Sequence, residues 1–270
     1  MLRRMSDLID CLALTSEGGI GRITDALFDD QAWVLRYLIV ESTLVRPHQK
    51  ILIPIHVVGK PDWNARAVTI SLGLEQIVRC PPIDVEQPIS RLQEQLCLEY
   101  YDLPFYWNNG GRWAIDSRAA AQLPSGSTEA EPRLRSANML LRYHIEATDG
   151  GMGQVEGALL DQQSWAIRYL VVETSNWWAG NQVLLAPHWI EAMTDPDAAL
   201  SVNLTRKEVA DAPKYDPSIA LSRAYEIELH HHHDRTGYWM DQSAPSRHND
   251  PDTRIPSQPA PDQSASAPQV

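Results

Sequence analysis

The chain has 270 residues, with 35 acidic against 23 basic side chains and a net charge of −12 at neutral pH. That balance argues against nonspecific binding to nucleic acid or to anionic lipid, since both need basic surface. The length allows one or two domains.

A repeat decides for two. Gly18-Gly19-Ile20-Gly21 leads into Ala26-Leu27-Phe28-Asp29-Asp30-Gln31-Ala32-Trp33 and then Leu35-Arg36-Tyr37-Leu38-Ile39-Val40-Glu41. Gly150-Gly151-Met152-Gly153 leads into Ala158-Leu159-Leu160-Asp161-Gln162-Gln163-Ser164-Trp165 and then Ile167-Arg168-Tyr169-Leu170-Val171-Val172-Glu173. Gly19 and Gly151, Trp33 and Trp165, Glu41 and Glu173 all stand 132 residues apart. Self-similarity at a fixed offset means two copies of one folded unit.

Taken in order, Met1-Leu2-Arg3-Arg4 is followed by Asp7 and Asp10, which interrupt any apolar segment of a signal peptide. No later run approaches the ~20 apolar residues of a membrane helix. The three cysteines, Cys11, Cys80 and Cys97, lack metal-ligand spacing and read as reduced thiols. A cytoplasmic protein without membrane insertion is the expectation. The glycine pairs read as tight turns, because glycine tolerates positive φ. Each is followed by a strand with a bulge, an Asp-rich hairpin, and a strand that is apolar throughout over Tyr37-Leu38-Ile39-Val40. A continuous apolar run means that both strand faces meet protein. Many short strands within ~80 residues favour a small barrel over a sandwich.

This order resembles the PRC-barrel domain, named after the cytoplasmic part of the photosynthetic reaction centre H subunit. The residues that carry it are the glycine turn, the Asp-rich hairpin, Trp165, Arg168-Tyr169-Leu170-Val171-Val172-Glu173 and Leu184-Leu185-Ala186-Pro187, with their counterparts in the first copy. More distantly it resembles the C-terminal barrel of a ribosome maturation factor. The resemblance covers about residues 2–80 and 134–212. It implies a mainly β chain of two tandem PRC-type barrels that acts by binding other proteins, with no catalytic residue and no cofactor. The membrane anchor of the H subunit has no counterpart here.

Val68-Thr69-Ile70-Ser71-Leu72 and Leu200-Ser201-Val202-Asn203-Leu204 alternate as closing strands. Thr205 and Glu208 have the spacing of a capping box. Each copy then carries an extension. Leu92, Leu96 and Tyr100 stand four apart and predict a one-sided helix; the matching stretch runs from Ser218 to His233. The extensions end on Tyr106-Trp107 and Tyr238-Trp239, as in a bacterial subgroup of PRC-barrel proteins with an acidic, aromatic tail. The expected organisation is a first barrel over 1–80, a helical extension over 81–107, a linker over 108–133, a second barrel over 134–212, an extension over 213–239 and a disordered tail over 240–270.

His230-His231-His232-His233-Asp234 is the candidate metal site, with His230 and Asp234 one helical turn apart. The first copy has Leu98-Glu99-Tyr100-Tyr101-Asp102 there, which favours a surface helix end with adventitious metal affinity; the alternative function is a metal- or small-ligand-binding stress protein that uses His230-His233. Trp177 and Trp178 are either a contact surface or a lid on the barrel mouth. Together with Tyr106, Trp107, Tyr238 and Trp239 they form the candidate interaction surface. His56 and His188 recur at the offset without acidic companions and read as packing residues. Asp29, Asp30 and Asp161 are explained by hairpin chemistry. No nucleotide-binding or nucleophile motif occurs, so the chain is expected to be non-enzymatic, with a protein partner whose identity the sequence withholds. The two units are expected to form a pseudo-two-fold intrachain pair that meets through side-chain surfaces, each extension helix packing at or across the interface, as opposed to two barrels on a tether.

Overall fold

Residues 1–42, 44, 49–81, 83–85, 87–107, 134–174, 182–194 and 198–241 are described by the computed structural model; the expected linker, the loop carrying Trp177 and Trp178, and the tail beyond residue 241 lie outside them. The first unit comprises β1 (Leu2–Arg4), β2 (Leu12–Thr15), β3 (Gly18–Asp29), β4 (Val34–Ser42), β5 (Gln49–Pro54), β6 (Ala67–Thr69), α1 (Leu74–Val78) and α2 (Arg91–Tyr100). The second comprises β7 (Leu134–Ser136), α3 (Ala137–Leu140), β8 (His144–Ala147), β9 (Gly150–Asp161), β10 (Ile167–Glu173), β11 (Gln182–Leu185), β12 (Ile190–Thr194), β13 (Ala199–Val202), α4 (Arg206–Ala210), α5 (Arg223–His232) and α6 (Tyr238–Asp241). The chain is mainly β.

Glycine opens the long strand of each unit for a steric reason. A Cβ on Gly21 would meet the Glu41 carbonyl, and one on Gly153 would meet that of Glu173, so β3 and β9 approach their neighbours more closely than any side chain allows. Gly18 and Gly150, at φ 145° and 125°, make the preceding turns. The central strands are buried on both faces as their apolar runs require: Tyr37 to Val40 and Tyr169 to Val172 all lie in the core.

Hydrogen-bonded strand order is β5-β4-β3-β2-β6 in one sheet and β11-β10-β9-β8-β13-β12 in the other. Both are mixed, because β2 runs parallel to β6 and β8 parallel to β13. Neither sheet closes into a barrel, which corrects the expected closure. β5 ends at Pro54 and β11 at Leu185, and a 3-10 turn follows each, over 55–57 and, opening on Pro187, over 187–189. The chain itself crosses from one end of the ladder to the other at these points. The expected capping box is present: Thr205 accepts from the Glu208 amide and the Glu208 side chain returns to Thr205.

The units meet through strand pairing, which corrects the expectation that they associate through side-chain surfaces or added segments and not through backbone. β3 is longer than β2, and its far end would leave one edge unpaired. β7 of the second unit fills that edge, with Leu134 opposite Asp29 and Ser136 opposite Leu27. β1 fills the equivalent edge of β9, with Leu2 opposite Asp161 and Arg4 opposite Leu159. Each unit thus lends its first strand to the other, at the same register.

The hairpin tips complete the junction. Asp29 accepts from the amides of Gln31 and Ala32 through its side chain and from Trp33 through its carbonyl, and Trp33 then takes φ 53°. Asp161 likewise accepts from Gln163 and Trp165, with Trp165 at φ 58°. This left-handed step turns the Trp33 carbonyl toward the Ile167 amide (2.7 Å) and the Trp165 carbonyl toward the Leu35 amide (2.9 Å). Side chains add to it: Trp63 donates to Gln162 at 2.9 Å, Arg135 pairs with Asp30 at 3.0 Å, and Ser136 donates to Asp25 at 2.5 Å. The extension helices were expected at this interface; α2 and α5 instead pack on their own units, through contacts described next.

Candidate functional site

Each extension helix is fastened by one buried carboxylate. Asp29, Arg36, Tyr37, Arg91, Glu94, Tyr106 and Trp107 recur 132 residues later as Asp161, Arg168, Tyr169, Arg223, Glu226, Tyr238 and Trp239. Ser90 caps α2 by accepting from the Gln93 amide, and Ser222 caps α5 by accepting from Tyr225. The helix then holds Arg at its first position and Glu three residues on, on one face, so that Arg91 pairs with Glu94 at 2.9 Å and Arg223 with Glu226 at 3.0 Å.

The segment after each helix returns to close the clamp. Tyr106 donates to Glu94 Oε2 at 2.6 Å, and Arg91 donates to the Tyr106 hydroxyl at 3.0 Å. The Arg36 guanidinium from β4 lies 4.1 Å over the Tyr106 ring, and that of Arg91 lies 4.2 Å over Trp107. In the second unit Tyr238 and Tyr169 donate to Glu226 Oε1 at 2.8 and 3.1 Å, Arg168 lies 4.2 Å over Tyr238, and Arg223 lies 4.4 Å over Trp239. Arg36 and Arg168 are in turn paired with the hairpin carboxylates Asp29 and Asp161, at 3.4 and 3.6 Å.

A buried carboxylate needs this company, because an unpaired one would carry its full desolvation cost. Burial pushes the Glu94 carboxyl up, against the opposing pull of Tyr106 and Arg91. Burial also raises the phenols of Tyr37 and Tyr106 well above their usual value. Both oxygens of each carboxylate are taken by Tyr or Arg donors. The arrangement holds the extension against its sheet.

The candidate interaction residues Tyr106, Trp107, Tyr238 and Trp239 belong to these clamps and are half-buried within them. The histidine cluster diverges. His230 is buried, its Nε2 is 3.0 Å from the Tyr169 hydroxyl, and its ring lies against Trp189 and Trp239. His233 is buried against Trp189, with ring centroids 4.7 Å apart. His232 Nε2 is 3.0 Å from the Glu208 carbonyl, while His231 is exposed and Asp234 sits beyond the helix end at φ 49°. Burial lowers both His230 and His233 to about 4, so both are neutral near pH 7. Among the described residues, no three His, Cys, Asp or Glu side chains converge as a metal-ligand set. His56 is likewise lowered, by burial and then by Arg36.

The cysteines are free thiols, and burial pushes Cys97 up to about 12, far from a reactive thiolate. A cavity of about 310 Å³ opens beside α4, lined by Asp149, Met152, Thr174, Arg206, Lys207, Ala210 and Asp211. Its charges are internally paired: Arg206 with Asp149 at 3.6 Å and Lys207 with Asp211 at 2.6 Å. Nothing in the sequence pattern announces this cavity. The clamps had a legible signal, the identity of Arg-Tyr, Arg-x-x-Glu and Tyr-Trp across the offset. No family model matches the chain, and no curated protein matches it.

Proposed function

We propose that the chain is a non-enzymatic binding module: two PRC-barrel-like units joined as a pseudo-two-fold intrachain pair, acting as a protein interaction or scaffold element in the cytoplasm. The observation that carries this reading is the fate of the polar constellations. The repeated Arg, Tyr, Glu and Asp side chains are consumed in fastening each extension helix, with both oxygens of Glu94 and of Glu226 already bonded. An enzyme of general acid–base type would keep such a carboxylate open to a reacting atom. Reciprocal exchange of β1 and β7 at one register supports the pseudo-two-fold pair, and supports a rigid body suited to holding partners at fixed geometry. The resemblance to the reaction centre H-subunit barrel supplies the class of partner, another protein.

Affinity capture of the tagged full chain from a native extract, followed by mass spectrometry and size-exclusion chromatography of the purified pair, tests the proposal. A stoichiometric protein that co-elutes with the chain is the expected result. A chain that elutes alone from every extract, or that turns over a substrate, overturns it.

A further inference from the structure

The extension helix of the first unit carries an apolar stripe that the described residues leave exposed. Leu92, Leu96 and Tyr100 are spaced to share one helical face, the one-sided helix expected from the sequence. That face turns outward: Leu92 is 64% exposed, Leu96 52% and Tyr100 36%, while Glu94, Cys97 and Leu98 face the unit. The Tyr100 hydroxyl donates to the Gln76 carbonyl at 2.8 Å, which ties α2 to α1, where Val78 is exposed as well.

The second unit serves as an internal control. Its α5 has the same serine cap and the same Arg–Glu clamp, yet the matching positions hold Ala224, Glu228 and His232, and Ala210 stands in place of Val78. A helix that folds with Ala, Glu and His there has no structural need of Leu, Leu and Tyr. On α5 only Ile227 is a large exposed apolar residue, whereas α2 carries a stripe of three, and a contiguous exposed apolar stripe marks a contact surface.

We propose that this face docks a basic amphipathic helix of a partner protein, a proposal that rests on the reading of the chain as a binding module and names its partner's chemistry. The rim of the stripe selects the occupant. Glu99 and Asp102 are exposed beside it, while Glu75 and Arg79 on α1 pair with each other at 2.8 Å and add no net charge. A helix with apolar anchors at i, i+3 or i+4 and i+7, flanked by Lys or Arg, complements both the stripe and the rim. A second copy of the chain fits poorly, because it would set one acidic rim against another. The size is also wrong for a dimer: a stripe about 12 Å long on a helix about 10 Å wide falls far short of the ~800 Å² per partner of a stable interface.

The test uses the full chain and a labelled 18-residue peptide of Leu and Lys, with Leu at amphipathic helical spacing, followed by fluorescence anisotropy. Binding to the wild-type chain should weaken at least ten-fold in Leu92→Ser/Leu96→Ser and in Glu99→Lys/Asp102→Lys, with circular dichroism and melting temperature unchanged. Glu228→Ser should bind as wild type, and a peptide with Glu in place of Lys should bind at least ten-fold more weakly. Equal binding by Leu92→Ser/Leu96→Ser, or equal binding of the two peptides, overturns the proposal. Sedimentation that shows a wild-type dimer and a monomeric Leu92→Ser/Leu96→Ser variant also overturns it, by assigning the face to a second copy. If that variant still captures the wild-type partner from extract, the stripe is refuted while the binding-module reading stands; if neither captures a partner, the module reading itself falls.

Discussion

Trp33→Ala and Trp165→Ala, made singly and together, probe how the units are joined. Trp33 is 9% exposed and Trp165 8%, so each loses nearly all of a buried indole on truncation. At ~150–250 Å² per aromatic side chain and ~25 cal/mol per Å², the area removed corresponds to about 4–6 kcal/mol. Measured large-to-small core changes give ~3–5 kcal/mol, which is the expected single cost. The two sites are not independent. The Trp33 carbonyl bonds the Ile167 amide and the Trp165 carbonyl bonds the Leu35 amide, so both residues share one short backbone bridge. Neighbouring sites couple by ~0.5–3 kcal/mol, whereas distant ones add within ~0.5 kcal/mol. Urea unfolding of the wild type, both singles and the double variant closes the cycle, with tryptophan fluorescence and circular dichroism as parallel probes. A single cost under ~1 kcal/mol would refute the burial argument, and additivity within ~0.3 kcal/mol would refute the shared junction. Trp33→Gly adds a check on the backbone: at φ 53° glycine escapes the left-handed penalty, so it should be no less stable than Trp33→Ala.

Glu94→Ala should cost ~3–5 kcal/mol, because it strands the Arg91 guanidinium and the Tyr106 hydroxyl without their acceptor; thermal denaturation reads it, and a cost under ~1 kcal/mol would mean that the clamp is ornamental. His230 and His233 are lowered to about 4, so the unfolded chain binds more protons between pH 6.5 and about 4. Their contribution is therefore complete above pH 6.5 and is lost as pH falls through that window, on the order of 3 kcal/mol each. Glu94, raised by burial, works in the opposite direction over its own range. Tyr169, Glu226, His188 and Arg223 surround His230, and His230→Leu, which restores the residue of the first copy, should flatten the acid limb of a stability–pH curve without moving it near pH 7. Isothermal titration of the full chain with zinc should give micromolar binding or weaker, given the divergent histidines; submicromolar affinity with integral stoichiometry would reinstate a metal site.

The repeat, the glycine turns and the capping box at Thr205 were legible because each rests on local rules: self-similarity at a fixed offset, φ tolerance and side-chain capping. The exchange of β1 and β7 was not, because Leu2-Arg3-Arg4 pairs just as readily with its own unit on local grounds; only the unequal lengths of β2 and β3 in three dimensions leave the edge that the other unit fills. Periodicity identified the stripe on α2 but does not by itself say which way it faces. Glu94 turns inward because Arg91 and Tyr106 neutralise it, and a buried charge with partners overrides the apolar pattern. The i, i+4 spacing of His230 and Asp234 assumes a helix that continues past both, whereas α5 ends at His232 and Asp234 takes φ 49°; His230 and His233 go to the core while His231 goes to solvent.

The central claim is that the two units form one body by exchanging their first strands. Amide hydrogen exchange of the full chain, read by mass spectrometry on peptides spanning residues 1–5 and 133–137, tests it most directly. The account predicts protection of both segments by at least ~100-fold over the unstructured rate, lost together when either Trp33→Ala or Trp165→Ala weakens the junction. Exchange of both segments at the unstructured rate, with the remaining strands protected, would contradict it.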